Sequence, residues 1–209
     1  MLLQAERALI VHHSRLLRPD GLVVGTAGNI SIRNGDLVAI TPTSVDYDAL
    51  DLSLVCVVGL DGEIVEAERE PSSELPMHLA VYRATDAAAI VHTHAPYATA
   101  LATVVEELPA IHYMIAELGG PVRVAPYATF GTDELAGSAM DALRGRNAVI
   151  LGSHGTLTLG DSLEQAYWRS VLLEWLATLY YRATLLGEPR LIPATEIERV
   201  ADRLRALRS

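Results

Sequence analysis

Two tight-turn dipeptides, Asn34-Gly35 and Asp61-Gly62, each stand between short apolar runs, and they limit the fold more than any other feature of the chain. Such pairs close two-residue hairpin loops, because their central positions accept positive φ. Before the first, Ile30 and Ile32 alternate with Ser31 and Arg33, the period of a half-buried strand; residues 37–40 answer across the turn. Residues 54–60 and 63–65 form a second hairpin. Residues 87–93, 122–125, 148–151 and 156–159 read as further strands. Helices interleave with them: residues 3–17, 73–83, a stretch after Pro96, and a segment capped by Thr132 that runs to 144, with Asp133 and Glu134 in its first turn. A long amphipathic helix is expected over 161–186, ended by Glu188-Pro189, and a last helix over 194–207. Strands and helices mix without regular βαβ repeats. The expected fold is a single α/β domain over residues 1–209, a three-layer αβα sandwich with a largely antiparallel central sheet.

Composition narrows the function classes. Of 209 residues, 50% are hydrophobic and 20% charged, as in a chain that folds around a sizeable core. The formal net charge of −10 argues against a nucleic-acid surface. It leaves phosphorylated small molecules open, since backbone N–H groups can bind phosphate locally. No apolar run has the length of a membrane span. The first residues carry Glu6 and Arg7 within an amphipathic pattern and read as a helix rather than a signal peptide. The single cysteine, Cys56, lies in the apolar run LSLVCVVGL and is expected to be a buried thiol. A cytoplasmic location is the default expectation.

The first chemical signal is AAAIVHTHAP, residues 87–96. On a strand, residues two apart share a face, so His92 and His94 project together while Thr93 faces away. Two imidazoles on one face can share a metal. His154, in the glycine-flanked turn LGSHGTL, and Glu74, at the start of a helix in EPSSELPMH, are the further candidate ligands. Three histidines and a carboxylate suit Zn²⁺, with Mn²⁺ and Fe²⁺ left open by spacing. Each residue also has a plainer reading: polar strand ends, an exposed turn histidine, a carboxylate favourable with a helix dipole. Of the other histidines, His12 and His13 are assigned to a solvated helix face, His78 to support on the helix that carries Glu74, and His112 to packing beside Tyr113.

Three small-polar segments could cradle an anion: residues 25–29 with Gly28 and Asn29, residues 41–44 with Thr43 and Ser44, and Ser72-Ser73 at a helix N-terminus. No glycine-lysine phosphate loop or dinucleotide fingerprint occurs, so nucleotide binding has no support.

Together, GTAGNISIR, ITPTS, PSSE, VHTHA, PAIHYMIAELGG, APYATFGT and SHG resemble, in order, the motifs of the class II aldolase/adducin family, and PAIHYMIAELGG followed by APYATFGT points to its fuculose-phosphate branch. The resemblance spans nearly the whole chain. It implies one Zn²⁺ per subunit on Glu74, His92, His94 and His154. It implies Glu74 and Tyr113 as catalytic residues, the tyrosine reaching a neighbouring subunit's site, and Gly28, Asn29, Thr43, Ser44, Ser72 and Ser73 as phosphate contacts. Phe130 matches an aromatic near the aldehyde end. The implied assembly is a homotetramer with active sites at subunit interfaces. The implied reaction is metal-dependent retro-aldol cleavage of a ketose 1-phosphate, L-fuculose 1-phosphate or a close analogue, to dihydroxyacetone phosphate and a small aldehyde such as L-lactaldehyde. The chain contains no lysine, its 16 basic residues all being arginine, so a lysine-imine mechanism is excluded. The branch carries two tail aromatics that close over the aldehyde; Leu204 and Leu207 stand there instead, which keeps 5-deoxyribulose 1-phosphate open as substrate. Two other readings are an L-ribulose-5-phosphate 4-epimerase-like enzyme, whose branch usually has aspartate where Glu74 stands, and a non-catalytic adducin-type module.

Overall fold

The computed structural model describes residues 1–207; Arg208 and Ser209, part of the expected 1–209 domain, lie outside the described residues. The strands are β1 (Asn29–Asn34), β2 (Leu37–Ile40), β3 (Cys56–Gly59), β4 (Ile64–Glu66), β5 (Ala89–Thr93), β6 (Glu107–Leu108), β7 (Val122–Ala125), β8 (Ala148–Leu151) and β9 (Gly155–Gly160). They join in one nine-stranded sheet, ordered β4-β3-β2-β1-β5-β9-β8-β7-β6. Every pairing is antiparallel except β7 with β8. Both expected hairpins form, each with its loop one residue away from the expected dipeptide: Asn34 stays in β1 opposite Leu37, so Gly35-Asp36 make the first loop, and the Gly62 N–H donates to Gly59 O around Leu60-Asp61; Gly35 and Gly62 hold φ +60 and +96.

Period-two alternation sorts the side chains into two cores. Ile30 and Ile32 of β1, Ala89 and Val91 of β5, and Ala148 and Ile150 of β8 face one layer. That layer holds α1 (Gln4–Leu17), α3 (Pro96–Leu101), α5 (Leu163–Leu186) and α6 (Ala194–Ala206). Ile90, Val149, Leu151, Leu157 and Leu159 face the other, covered by α2 (Leu75–Ala84) and α4 (Asp133–Leu143). Thr132 caps α4, its hydroxyl accepting from Leu135 N.

Two expectations need correction, and two short elements had no expectation. His13 is not solvated: it is 7% exposed, with Nδ1 2.9 Å from Leu9 O and its ring against Tyr167. Helix α5 is not simply amphipathic, because Trp168, Trp175, Tyr181, Leu185 and Leu186 are exposed on it while Leu172, Leu173 and Leu176 are buried. Apolar residues therefore run round the helix, which a periodicity reading cannot separate into faces. The strand β6 and a short, tightly wound helix, Tyr113–Leu118, fall in a segment with no apolar periodicity to mark them. Cys56 is fully buried, as expected, and burial pushes its thiol up to about 11.

Candidate metal centre

Four elements converge at one end of the sheet. His92 is the penultimate residue of β5, and His94 follows the strand's end. His154 sits in the turn from β8 to β9, and Glu74 immediately precedes α2. Antiparallel pairing sets Asn29 opposite His92, and His92 opposite Leu157. Gly155 lets β9 approach: a Cβ there would stand 2.1 Å from Thr93 O. At Gly28, with φ +81, a Cβ would meet His92 O at 2.7 Å, so only glycine brings that loop against β5.

The result is a compact donor set in which one ligand atom from each of Glu74, His92, His94 and His154 lies within 4.8 Å of the others. Glu74 Oε2 is 2.9 Å from His92 Nε2, Oε1 is 3.2 Å from His154 Nε2, and the two Nε2 atoms of His92 and His94 are 3.1 Å apart. His92 Nδ1 lies 2.8 Å from Thr156 O, which turns Nε2 into the cluster. Burial, then the neighbouring histidines, pushes His94 down to about 4, so its imidazole is neutral. Burial works against the Glu74 carboxylate, but His92 and His154 outweigh it and hold its carboxyl well below the usual range. Three imidazole nitrogens converge on a carboxylate, one of whose buried oxygens, Oε1, accepts no hydrogen bond, and this donor set suits a cation. Ligands at about 2.0–2.2 Å in a tetrahedral array sit about 3.3 Å from one another, close to the spacings seen. The residues present fit a divalent metal.

Beside this cluster lies a cavity of about 350 Å³. Gly28, Asn29, Thr43, Ser44, Ser72 and Ser73 line one side, and Tyr127, Phe130 and Ser153 the other. Backbone hydrogen bonds zip two of the small-polar segments together: Thr43 N to Glu70 O at 3.0 Å and Ser72 N to Thr41 O at 3.1 Å. Tyr47 Oη lies 2.9 and 2.8 Å from Ala27 O and Gly28 O and pins the third. Ser72 Oγ accepts from Glu74 N at 3.2 Å, tying this wall of the cavity to the donor set. Ser44 and Ser153 hold left-handed backbone, φ 55 and 51, although neither is glycine.

Asn29 differs from its expected setting. Asn29 lines the cavity, yet its carboxamide is committed elsewhere: Nδ2 donates to Glu74 Oε2 at 2.9 Å, and Oδ1 is 2.6 Å from His78 Nε2. Tyr113 does not line its own chain's cavity; it is 50% exposed, against the His112 ring. Sequence reasoning singled out neither Tyr127 nor Ser153, and their only signal was membership of APYATFGT and of the turn before His154.

Fold and centre together define a metal-site enzyme scaffold of one kind, for residues 8–181 match the Class II Aldolase and Adducin N-terminal domain. The chain belongs to the class II aldolase and adducin family. It is 45% identical to a 5-deoxy-D-ribulose 1-phosphate aldolase from Bacillus thuringiensis serovar kurstaki, over 96% of each chain. It is 41% identical to an L-fuculose phosphate aldolase from Escherichia coli K12, over 87% of this chain and 84% of that one. A solved structure of an L-fuculose 1-phosphate aldolase superposes with a TM-score of 0.95 at 40% identity, covering 98% of both chains.

Proposed function

We propose that the protein cleaves a ketose 1-phosphate by a retro-aldol reaction, giving dihydroxyacetone phosphate and a short aldehyde. The observation that carries this reading is the adjacency of the four-residue donor set to a cavity lined by Gly28, Thr43, Ser44, Ser72 and Ser73. Charge-free donors suit a phosphate ester, and the cavity of about 350 Å³ suits one small sugar. Glu74, His92, His94 and His154 would hold one Zn²⁺ per subunit. When bound, that ion supplies Lewis-acid polarisation of the ketose carbonyl and stabilises the negative charge left as the carbon–carbon bond breaks.

The chain's own residues do the rest. Gly28, Thr43, Ser44, Ser72 and Ser73 bind the phosphate, the first through its backbone. Tyr113, from a neighbouring subunit of a homotetramer, takes the proton of the C4 hydroxyl and returns it in the condensation direction. Glu74, ionised at rest, takes up a solvent proton and delivers it to the carbon that becomes the hydroxymethyl carbon of dihydroxyacetone phosphate, while Tyr113 passes the C4 hydroxyl proton to solvent. Phe130, at the cavity rim, shields the aldehyde end. Among candidate substrates we place 5-deoxyribulose 1-phosphate beside L-fuculose 1-phosphate. The relative at 45% identity is named for the former. Leu204 and Leu207, where the fuculose branch has aromatics, offer an aldehyde only apolar contact.

The test is a panel of 5-deoxyribulose, fuculose, rhamnulose and ribulose 1-phosphates with added Zn²⁺, coupled to NADH oxidation through triose phosphate reduction. Triose phosphate release from the first two, abolished by chelator, is expected. No release from any member, or formation of an isomeric pentose phosphate instead, overturns the reading.

A further inference from the structure

Behind Glu74 runs a buried file of polar side chains that the reaction above does not use. Glu74, His78 and Tyr82 recur every fourth residue along the inner face of α2, and Asn29 and Ser31 are alternate residues of β1. Four residues of helix advance about 6 Å and two of strand about 6.6 Å, so the two rows stay in step. Contacts join them in order. Tyr82 Oη is 2.7 Å from Ser31 Oγ, which is 2.7 Å from His78 Nδ1; His78 Nε2 is 2.6 Å from Asn29 Oδ1, and Asn29 Nδ2 is 2.9 Å from Glu74 Oε2. Ser31 and His78 are 0% exposed, Tyr82 1% and Asn29 4%.

The carboxylate fixes every proton in this file. An ionised carboxylate only accepts, so the amide nitrogen of Asn29 must face it and the amide oxygen must face His78. His78 therefore carries its proton on Nε2, and Nδ1 accepts from Ser31, which in turn accepts from Tyr82. All four hydrogen bonds donate toward Glu74. Burial pushes His78 down to about 3, in keeping with the neutral ring this pattern requires. Apolar side chains would pack the same space without the desolvation that hydroxyl, imidazole and amide each incur.

We propose that His78 is a positioning residue for Glu74: held by Ser31 and Tyr82, its Nε2–H locks the Asn29 carboxamide so that an N–H donor permanently faces the Glu74 carboxylate. This rests on Glu74 being the metal ligand and acid/base of the proposed reaction. The lock keeps Glu74 aimed at the cluster while its charge changes during turnover. Without it, the Asn29 amide can turn over and set its oxygen against the carboxylate.

The test separates the Nε2 donor from the bulk of the ring. His78→Asn keeps an acceptor near the Nδ1 position but leaves nothing at Nε2; His78→Gln returns an amide N–H there. Three readouts apply: Zn²⁺ affinity by competition with a chromophoric chelator, kcat and KM on the ketose phosphates, and thermal midpoint. His78→Asn is expected to lose about 10–100-fold in Zn²⁺ affinity and in kcat, with KM nearly unchanged, and His78→Gln to recover most of both. Values for His78→Asn within about twofold of the parent overturn the proposal. So does equal impairment of the two variants, which would assign His78 to packing alone. Should His78→Asn fail to fold, Ser31→Ala removes a single oxygen and frees Nδ1. A fall in Zn²⁺ affinity with the fold retained supports the lock, and an unchanged affinity overturns it. A parent protein that cleaves none of the sugars overturns the proposed function, while the affinity comparison still decides the lock.

Discussion

Glu74 carries two burdens: it supplies a ligand to the cluster and, in the proposed reaction, moves a proton. Its two oxygens divide the surroundings, Oε2 between Asn29 and His92, Oε1 toward His154. Glu74→Gln keeps the shape and removes the base. We expect it to lower kcat by about 10²–10⁴-fold while the protein still takes up Zn²⁺ measurably, checked by steady-state kinetics beside metal analysis of the purified variant. Full activity in that variant would remove Glu74 from proton transfer. Ser44 poses a different trade. Its left-handed backbone, φ 55, costs a residue with a Cβ about 1–2 kcal/mol, part of which glycine returns as chain entropy. Ser44→Gly should therefore raise the unfolding free energy by about 0.5–1 kcal/mol and also raise KM, because a phosphate loses a hydroxyl donor. Denaturant melts and substrate titration read the two effects separately.

At the level of elements, the site is a crossing: β5, β9 and the β8–β9 turn bring three imidazoles together, and the start of α2 brings the carboxylate across. The closeness of β9 to β5 depends on Gly155. A Cβ added there meets Thr93 O at 2.1 Å and His94 Cδ2 at 3.2 Å. Gly155→Ala should lose about 1–3 kcal/mol of stability and, as His154 draws back from His92 and His94, most of its Zn²⁺ affinity. Unaltered affinity would show that the turn tolerates the strand's displacement. Much of this layout could be read from the chain. The hairpins were visible because Gly35 and Gly62 accept positive φ between apolar runs, and the αβα layering because no βαβ rhythm linked the strands. The four donors were legible because His92 and His94 stand two residues apart at the end of an apolar strand and the motifs occur in order. The orientation of Asn29 was not legible, since no local pattern says whether a carboxamide beside a glycine loop faces a ligand or a neighbouring helix. His13 was misplaced because its pocket is made by Tyr167, far along the chain. Helix α5 defeated periodicity because its outward residues are as apolar as its inward ones.

That outward apolar face matters for the whole molecule. Trp168, Trp175 and Tyr181 are each nearly half exposed, Trp175 against His112 and Tyr181 against Tyr97, and Leu186 is 92% exposed. Tyr113 stands clear of its own cavity. If copies of the chain complete one another's sites, two inactive variants must complement. Glu74→Gln and Tyr113→Phe subunits, mixed one to one and allowed to exchange, should regain about a quarter of parental activity, since that share of sites receives both intact residues in a ring assembly. No recovery, with exchange verified by mass, would place Tyr113 outside the reaction. The convergence of Glu74 and His154 has a second effect at this scale. These residues lie on either side of a long stretch of chain, so an ion held between them acts as a removable cross-link on the fold. Chelator treatment should lower the melting temperature, and restoring Zn²⁺ to about 100 times its dissociation constant should return about 2.7 kcal/mol if the unfolded chain binds none. The same ion that permits turnover would then govern how long each copy survives proteolysis, and a cell starved of the metal would lose the catalyst itself as well as its rate.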